Sequence, residues 1–406
     1  VENVKNSNLE EFKKQMLQEV PEPSKKPKTV QVKKNIILSF PSDSTGCGFL
    51  RQIFPMMFLN SIFGKNQQIV PITSPVFIFQ QDILAKTRAI YFQRQMTPGH
   101  LNIIRQYKST QTQLQYKMIW DIDDFIWGHN ENQGGDKKDG VPSYNFGWVN
   151  ITDEVKASSI EVMKLMDLIT VSTQFLADYI KNELKIEVPI VVVPNVVPTY
   201  LWGDKHKEDI KEDIKKPHIL YTGSPTHYSN GNKERGMPQM KGDFDNAWCE
   251  WIIKNVNEDK IKFTCMGGLP YFFKSIEKKI TVINWVGSFD YHTTVKKIGA
   301  DIGIMPLVPN NFNSGKSDIK YIEYAVEGIP CIGSTFSDGT VSPYDHVPIT
   351  VNENVSLAEL DKVVWDLCKK ENYNQIRNTQ YNDIESNGRL LESKEYIDKL
   401  VRLLFS

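Results

Sequence analysis

The sequence predicts two α/β lobes in series, each a parallel sheet wrapped by crossover helices. Three observations carry that reading. Short β-rich runs alternate with helical stretches from Val32 onward. A charged, strand-free segment, TYLWGDKHKEDIKEDIKKP, interrupts the rhythm after Pro198, and HILYTGS then opens a second series. A chain of 406 residues also exceeds one ordinary hydrophobic core and suits two domains of common size.

Residues 1–34 read as a polar N-terminal appendage. An amphipathic stretch from Leu9 to Val20 precedes PEPSKKPK, which is either a surface linker or a basic arm for an anionic partner. The first lobe, 35–198, opens with the strand NIILSF and continues with AIYFQR, KMIWDI, LITVS and PIVVVPN. Between these lie helical runs such as FLRQIFPMMFLNSIF, HLNIIRQYKSTQTQL, DEVKASSIEVMKLM and TQFLADYIKNEL. The second lobe, 199–385, offers strands HILYTGS, IKFTCMGG, ITVINWV, ADIGIMPL and PCIGS, with helices NAWCEWIIKNV, YHTTVKKIG and KSDIKYIEYAVEG. An amphipathic helix, EYIDKLVRLLF, falls within the last segment, 386–406.

Composition excludes several classes. A hydrophobic share of 40% and a charged share of 24% are globular values. The formal net charge of -1 gives no whole-protein positive field of the kind a dedicated nucleic-acid binder carries, although a local basic patch is compatible with it. There is no apolar run of about 18 residues and no signal-peptide pattern at the start, so a cytoplasmic location is expected. The five cysteines are scattered without the paired spacing of a zinc site and read as reduced.

Chemistry concentrates in Ala300–Ser334. An apolar strand there ends in a Pro-containing polar loop, and the next helix is expected to begin at Lys316–Asp318. Its unpaired N–H groups would face the carboxyl end of the sheet, a place suited to a nucleoside diphosphate. Lys316 and Lys320 then share a helical face with Ser317 beside them, and their ammonium groups can neutralise a pyrophosphate that gains charge as it leaves. Glu323, one turn on, can accept both hydroxyls of a ribose. The alternative is a solvated face on which the lysines pair with Asp318 or Glu323.

Two glycine-bearing turns extend the candidate site. Tyr221, Thr222, Gly223 and Ser224 end the first strand of the second lobe, where a residue without a side chain admits a phosphate to the backbone. His227 follows as either a donor contact or a surface residue. In the first lobe, Gly46 and Gly48 lie in FPSDSTGCGF, a flexible loop before the helix that starts near Phe49. Arg51 is either a phosphate contact or a surface residue.

The string WDIDDFIW places Asp121, Asp123 and Asp124 at a strand end. Such a cluster invites a divalent-metal reading, but the lysines make a metal unnecessary, and none is assigned. Asp121 and Asp123 can instead orient an acceptor hydroxyl or a sugar, or one of them can cap a helix. The segment after it is long, aperiodic and rich in Gly, Asn and Asp, a loop in which Tyr144, Phe146 and Trp148 either stack on a ligand or pack on the lobe.

The stretch from Lys316 through Glu323, Tyr324, Ala325, Gly328 and Pro330 resembles the donor-binding pattern of the large retaining GT-B glycosyltransferases, in a version written KSxxKxxEY. The usual first glutamate has no counterpart, since Gly315 and Lys316 occupy its region. The resemblance implies two Rossmann-like domains facing across a cleft, with a nucleotide sugar, UDP-linked by default, as donor. It also implies a leaving phosphate that helps take the acceptor proton, no separate cofactor, and a last helix that crosses back to the first domain. The combination RQMTPGHL, DIDDFIW, VPSYNF, YTGSPTHY and KSDIKYIEY is further similar to glycosyltransferases of tailed bacteriophages. That similarity implies a hydroxymethylated or glycosylated pyrimidine of double-stranded DNA as acceptor, with PSKKPK and RQYK as phosphate contacts. The competing acceptors are surface polysaccharides, lipids or protein glycans. A non-catalytic nucleotide- or glycan-binding module is the remaining reading.

Overall fold

A computed structural model describes residues 34–44, 46–63, 68–71, 81–127, 129–130, 140–141, 152–203, 208–223, 243–244 and 247–405. The N-terminal basic segment, Ser224, His227 and the aromatic trio Tyr144, Phe146 and Trp148 lie outside them.

The first sheet holds β1 (Ile36–Phe40), β2 (Gln68–Pro71), β3 (Thr87–Gln93), β4 (Lys117–Ile122), β5 (Leu168–Val171) and β6 (Ile190–Val192), in the spatial order β2-β1-β3-β4-β5-β6. The second holds β7 (His218–Thr222), β8 (Lys262–Met266), β9 (Thr281–Ile283), β10 (Ile302–Met305), β11 (Cys331–Thr335) and β12 (Thr350–Asn352), in the order β9-β8-β7-β10-β11-β12. Every pairing within both sheets is parallel. Central strands are therefore covered on both faces, which is why β1 reads as an uninterrupted buried run.

Helices begin and end where local chemistry dictates. The helix Pro98–Leu114 starts from a Thr97 capping box closed by His100, carries proline in its first turn, and stops at Gln115 in the left-handed conformation. Its buried stripe, Leu101, Ile104 and Tyr107, packs into a core with Phe40, Phe92 and Trp120. The edge strands β2 and β12 lie outside the strand runs named from the sequence, because each is only three or four residues long. The run 280–286 is strand only over Thr281–Ile283.

The last helix, Lys394–Phe405, sends Tyr396, Ile397, Leu400 and Leu404 into one core with Ile37, Tyr91 and Ile119 of the first sheet. Cations from that sheet cover its C-terminal carbonyls: Arg88 donates to Phe405 O at 2.6 Å and Lys117 to Leu403 O at 3.2 Å.

In each sheet the chain reverses its direction of growth beside the first strand, between β1 and β3 and again between β7 and β10. Loops leaving the carboxyl ends of those strands diverge and open a crevice. The segments so placed are 41–44, Gly46–Gly48 and Arg94 onward in the first lobe, and Gly223 and 306–318 in the second. Among the described residues, no helix is long and apolar enough to cross a membrane.

Candidate functional site

The two crevices face one another and merge into a cavity of about 330 Å³. The second lobe lines it with Thr222, Gly223, Gly267, Lys316, Ser317, Lys320 and Glu323, and the first with Gly46, Cys47, Phe49, Asp123, Asp124 and Asn195.

Gly223 follows β7 directly, and its backbone is closely enclosed. A Cβ there would stand 2.3 Å from the Tyr221 hydroxyl oxygen, and one on Gly267 would stand 2.1 Å from Gly223 O. Tyr221 itself is buried and packs against Phe244 with ring centroids 4.5 Å apart. It is not part of the cavity wall; it supports Lys320, whose ammonium lies 5.2 Å from the ring centre.

Lys316 departs from the expected position. The helix begins at Ile319 with Asp318 as its N-cap residue, so Lys316 and Ser317 stand in the loop between that helix and the short turn Asn311–Ser314. Asp318 does not close the helix end with its side chain. Arg389 grips its carboxylate through both terminal nitrogens, and His346 approaches at 3.1 Å. The Asp318 carboxyl is accordingly held far below the usual carboxylate range, against the opposing effect of burial. Of the two carboxylates that the alternative reading paired with the lysines, Asp318 is thus engaged elsewhere, whereas Glu323 remains beside Lys320.

Both lysines still reach the cavity. Lys316 lies 4.4 Å from the Phe312 ring centre, and burial draws its ammonium below the ordinary lysine range while Asp124 and Asp243 oppose the shift. Lys320 is pushed down to about 7 by burial and then by the positive charge of Lys316. Glu323 is pushed up to about 7 by burial, against the Tyr291 hydroxyl that donates to it at 2.9 Å and the nearby Lys320. Lys316 and Lys320 thus bring positive charge into a partly desolvated cavity, where the carboxylates of Asp124, Asp243 and Glu323 offset part of it.

The first lobe corrects two assignments. Arg51 is neither on the surface nor turned toward a phosphate: it is 3% exposed, and Asp121 beside it is 0% exposed. Arg51 Nε donates to Asp121 at 3.0 Å, a terminal nitrogen adds a second bond, and the other terminal nitrogen bonds Val193 O and, at 3.1 Å, Asn195 Oδ1. Thr170 donates to Asp121 at 2.6 Å. Asp121 is therefore closed off from an acceptor by its burial and by its own partners.

Asp123 and Asp124 do line the cavity, together with Cys47. The oxygens and sulfur of the three lie within 4.8 Å of one another, a spacing compatible with a metal ion. A cation of the chain is already among them. Arg94 donates to Asp123 at 2.6 Å, to Asp124, and to Cys47 Sγ at 3.3 Å. Burial raises the Cys47 thiol well above its ordinary range, which keeps it protonated and a poor metal ligand. Arg94 adopts a left-handed backbone with φ 57° at the end of β3, an unfavourable conformation for a residue with a long side chain.

Gly46 lines the cavity with open space around its Cα, whereas Gly48 is enclosed, since a Cβ would meet Asp43 O at 1.9 Å. The helical path already begins at Gly46 and passes through a π-type turn, Phe49–Ile53. Arg94, Asn195, Tyr291 and Arg389 were not among the residues singled out from sequence. Arg94 and Asn195 each close a strand run there, AIYFQR and PIVVVPN, with nothing local to mark them as site residues.

No protein-family model matches the sequence, and no curated protein matches it. The three-dimensional comparison does find similar structures. A glycosyltransferase from Rickettsia africae ESF-5 is similar with a TM-score of 0.56 at 12% identity, over 91% of this chain and 98% of that one. The sucrose-phosphate synthase of Thermosynechococcus elongatus gives 0.56 at 9% identity, over 91% and 99%. HepE of Anabaena, solved with UDP and glucose, gives 0.53 at 8% identity, again over 91% and 99%. These likenesses span nearly the whole of each chain, and with the paired parallel sheets they show that this chain has the GT-B fold.

Proposed function

We propose that this chain is a nucleotide-sugar-dependent glycosyltransferase that moves a sugar from a nucleoside diphosphate, UDP by default, to a hydroxyl acceptor with retention of anomeric configuration. The observation that carries the reading is the meeting of Lys316, Ser317, Lys320, Glu323 and Gly223 at the switch point of the second sheet, inside a cavity shared with the first. The structural likeness to HepE, solved with UDP and glucose, supports the same donor class.

The division of labour follows from chemistry. Gly223 lets a diphosphate approach the backbone, and Lys316 and Lys320 meet its oxygens. Their attraction strengthens as charge builds on the departing phosphate, so they favour the transition state over the ground state. Glu323, once ionised, accepts ribose hydroxyls. Asp123 and Asp124 lie across the cavity, with Arg94 balancing their charge, and border the place of the sugar and acceptor. No metal is needed for charge neutralisation.

Calorimetric titration with UDP and UDP-glucose tests the donor half. Sugar transfer to hydroxymethylcytosine DNA, compared with transfer to oligosaccharide and lipid acceptors, tests the acceptor half. Lys320→Ala is expected to abolish turnover. Turnover unchanged by that substitution would sink the site assignment, and donor binding without hydrolysis or transfer would leave a binding module.

A further inference from the structure

Asn195 occupies a junction between the lobes. It is buried, it follows β6, and its side chain makes two bonds of opposite kind. Its Oδ1 accepts from Arg51 at 3.1 Å, and its Nδ2 donates to Ser317 Oγ at 2.7 Å. Its backbone oxygen accepts from Arg389 Nε at 2.9 Å, and Arg389 is the residue that grips Asp318.

The direction of these bonds is not arbitrary. A guanidinium only donates, so Arg51 requires the carbonyl end of the Asn195 amide to face it. Asp121 holds Arg51 in that orientation through two hydrogen bonds. The amide nitrogen must then face Ser317, and a hydroxyl oxygen that accepts from it keeps its own proton for another acceptor. Ser317 lines the cavity between Lys316 and Lys320 in sequence. An anion at the lysines is the acceptor that its location offers.

Resting on the donor reading above, we infer that Asn195 is a positioning residue for the donor diphosphate. Through the relay Asp121–Arg51–Asn195 the first lobe orients the Ser317 hydroxyl as a donor toward a phosphate oxygen. The Asn195–Ser317 bond joins the first lobe to the loop that carries Lys316.

The test is a double-mutant cycle on UDP affinity in the full chain, with thermal unfolding of each variant recorded alongside. Ser317→Ala removes the hydroxyl and is expected to weaken UDP about ten- to a hundredfold, the range for one hydrogen bond to a charged group. Ser317→Thr keeps the hydroxyl and is expected to retain most of the affinity. Asn195→Ala should weaken UDP nearly as much as Ser317→Ala in the wild-type background and have little further effect once Ser317 is Ala. A purely structural role for Asn195 would lower the unfolding temperature and weaken UDP equally in both backgrounds; such additivity overturns the inference and leaves the donor reading intact. A wild-type chain that binds no UDP overturns both.

Discussion

Gly315 of the second lobe stands against Phe125 of the first so closely that a Cβ on it would lie 2.8 Å from Phe125 Cβ and 3.4 Å from a Leu176 methyl carbon. Thr173 also donates to Gly315 O at 3.3 Å. This contact and the Asn195–Ser317 bond fasten the loop that carries Lys316 to the opposite lobe. Gly315→Ala is therefore expected to force the lobes apart or to strain the contact by about 1–3 kcal/mol. Small-angle scattering should report a larger radius of gyration, and UDP affinity should fall; no change in either would mean that the lobes do not meet there in solution.

Asp121 and Arg51 form a buried ion pair whose remaining valences are also filled. Asp121→Ala leaves the guanidinium uncompensated and is expected to cost about 3–5 kcal/mol of unfolding free energy. Denaturant titration measures it. A loss below about 1 kcal/mol, the range of exposed pairs, would show that water reaches the pair.

Lys320 supplies a pH dependence with a definite sign. Its ammonium is lowered to about 7 in the unliganded site by burial and by Lys316. A bound diphosphate favours the charged form and raises that value, so the Lys320 contribution takes up a proton and is largest below about pH 7, whereas the Glu323 contribution to ribose binding needs the ionised carboxylate and grows above about pH 7. Affinity for inorganic pyrophosphate, which has no ribose for Glu323 to hold, is therefore expected to decline as pH rises above about 7 toward the pKa of the complex. Lys320→Arg, which stays charged throughout, should flatten the alkaline decline in calorimetric titrations between pH 6 and 9, values spanning roughly the range of an altered lysine. An unaltered slope would place the titration on another group.

Arg94 holds the position a divalent cation would take between Asp123 and Asp124. UDP affinity is expected to be the same with EDTA as with added manganese. Arg94→Ala should release the carboxylates and create manganese binding detectable by calorimetry. A wild-type chain whose UDP affinity collapses with EDTA would refute the assignment.

Much of the fold was legible because apolar runs of parallel strands and the periodicity of their helices are local properties. IILSF, KMIWDI, HILYT and IGIM each form strands, and the glycine after β7 marks a strand end without any tertiary information. The short edge strands gave little signal, since three residues carry no period. Arg51 was misplaced for a different reason: an isolated cation on a helix has no sequence feature that distinguishes a phosphate contact from a partner buried with Asp121.

By itself the sequence determined two βα series and the local runs that form their central strands. Tertiary structure alone decided that Lys316 precedes its helix, that Asp318 belongs to Arg389, and that Asp121 turns inward. It also placed Asn195 against Ser317, residues 122 positions apart. Strand and helix formation depends on neighbours a few residues away, whereas the partner of a buried charge is chosen by whichever opposite charge folding brings within hydrogen-bond reach.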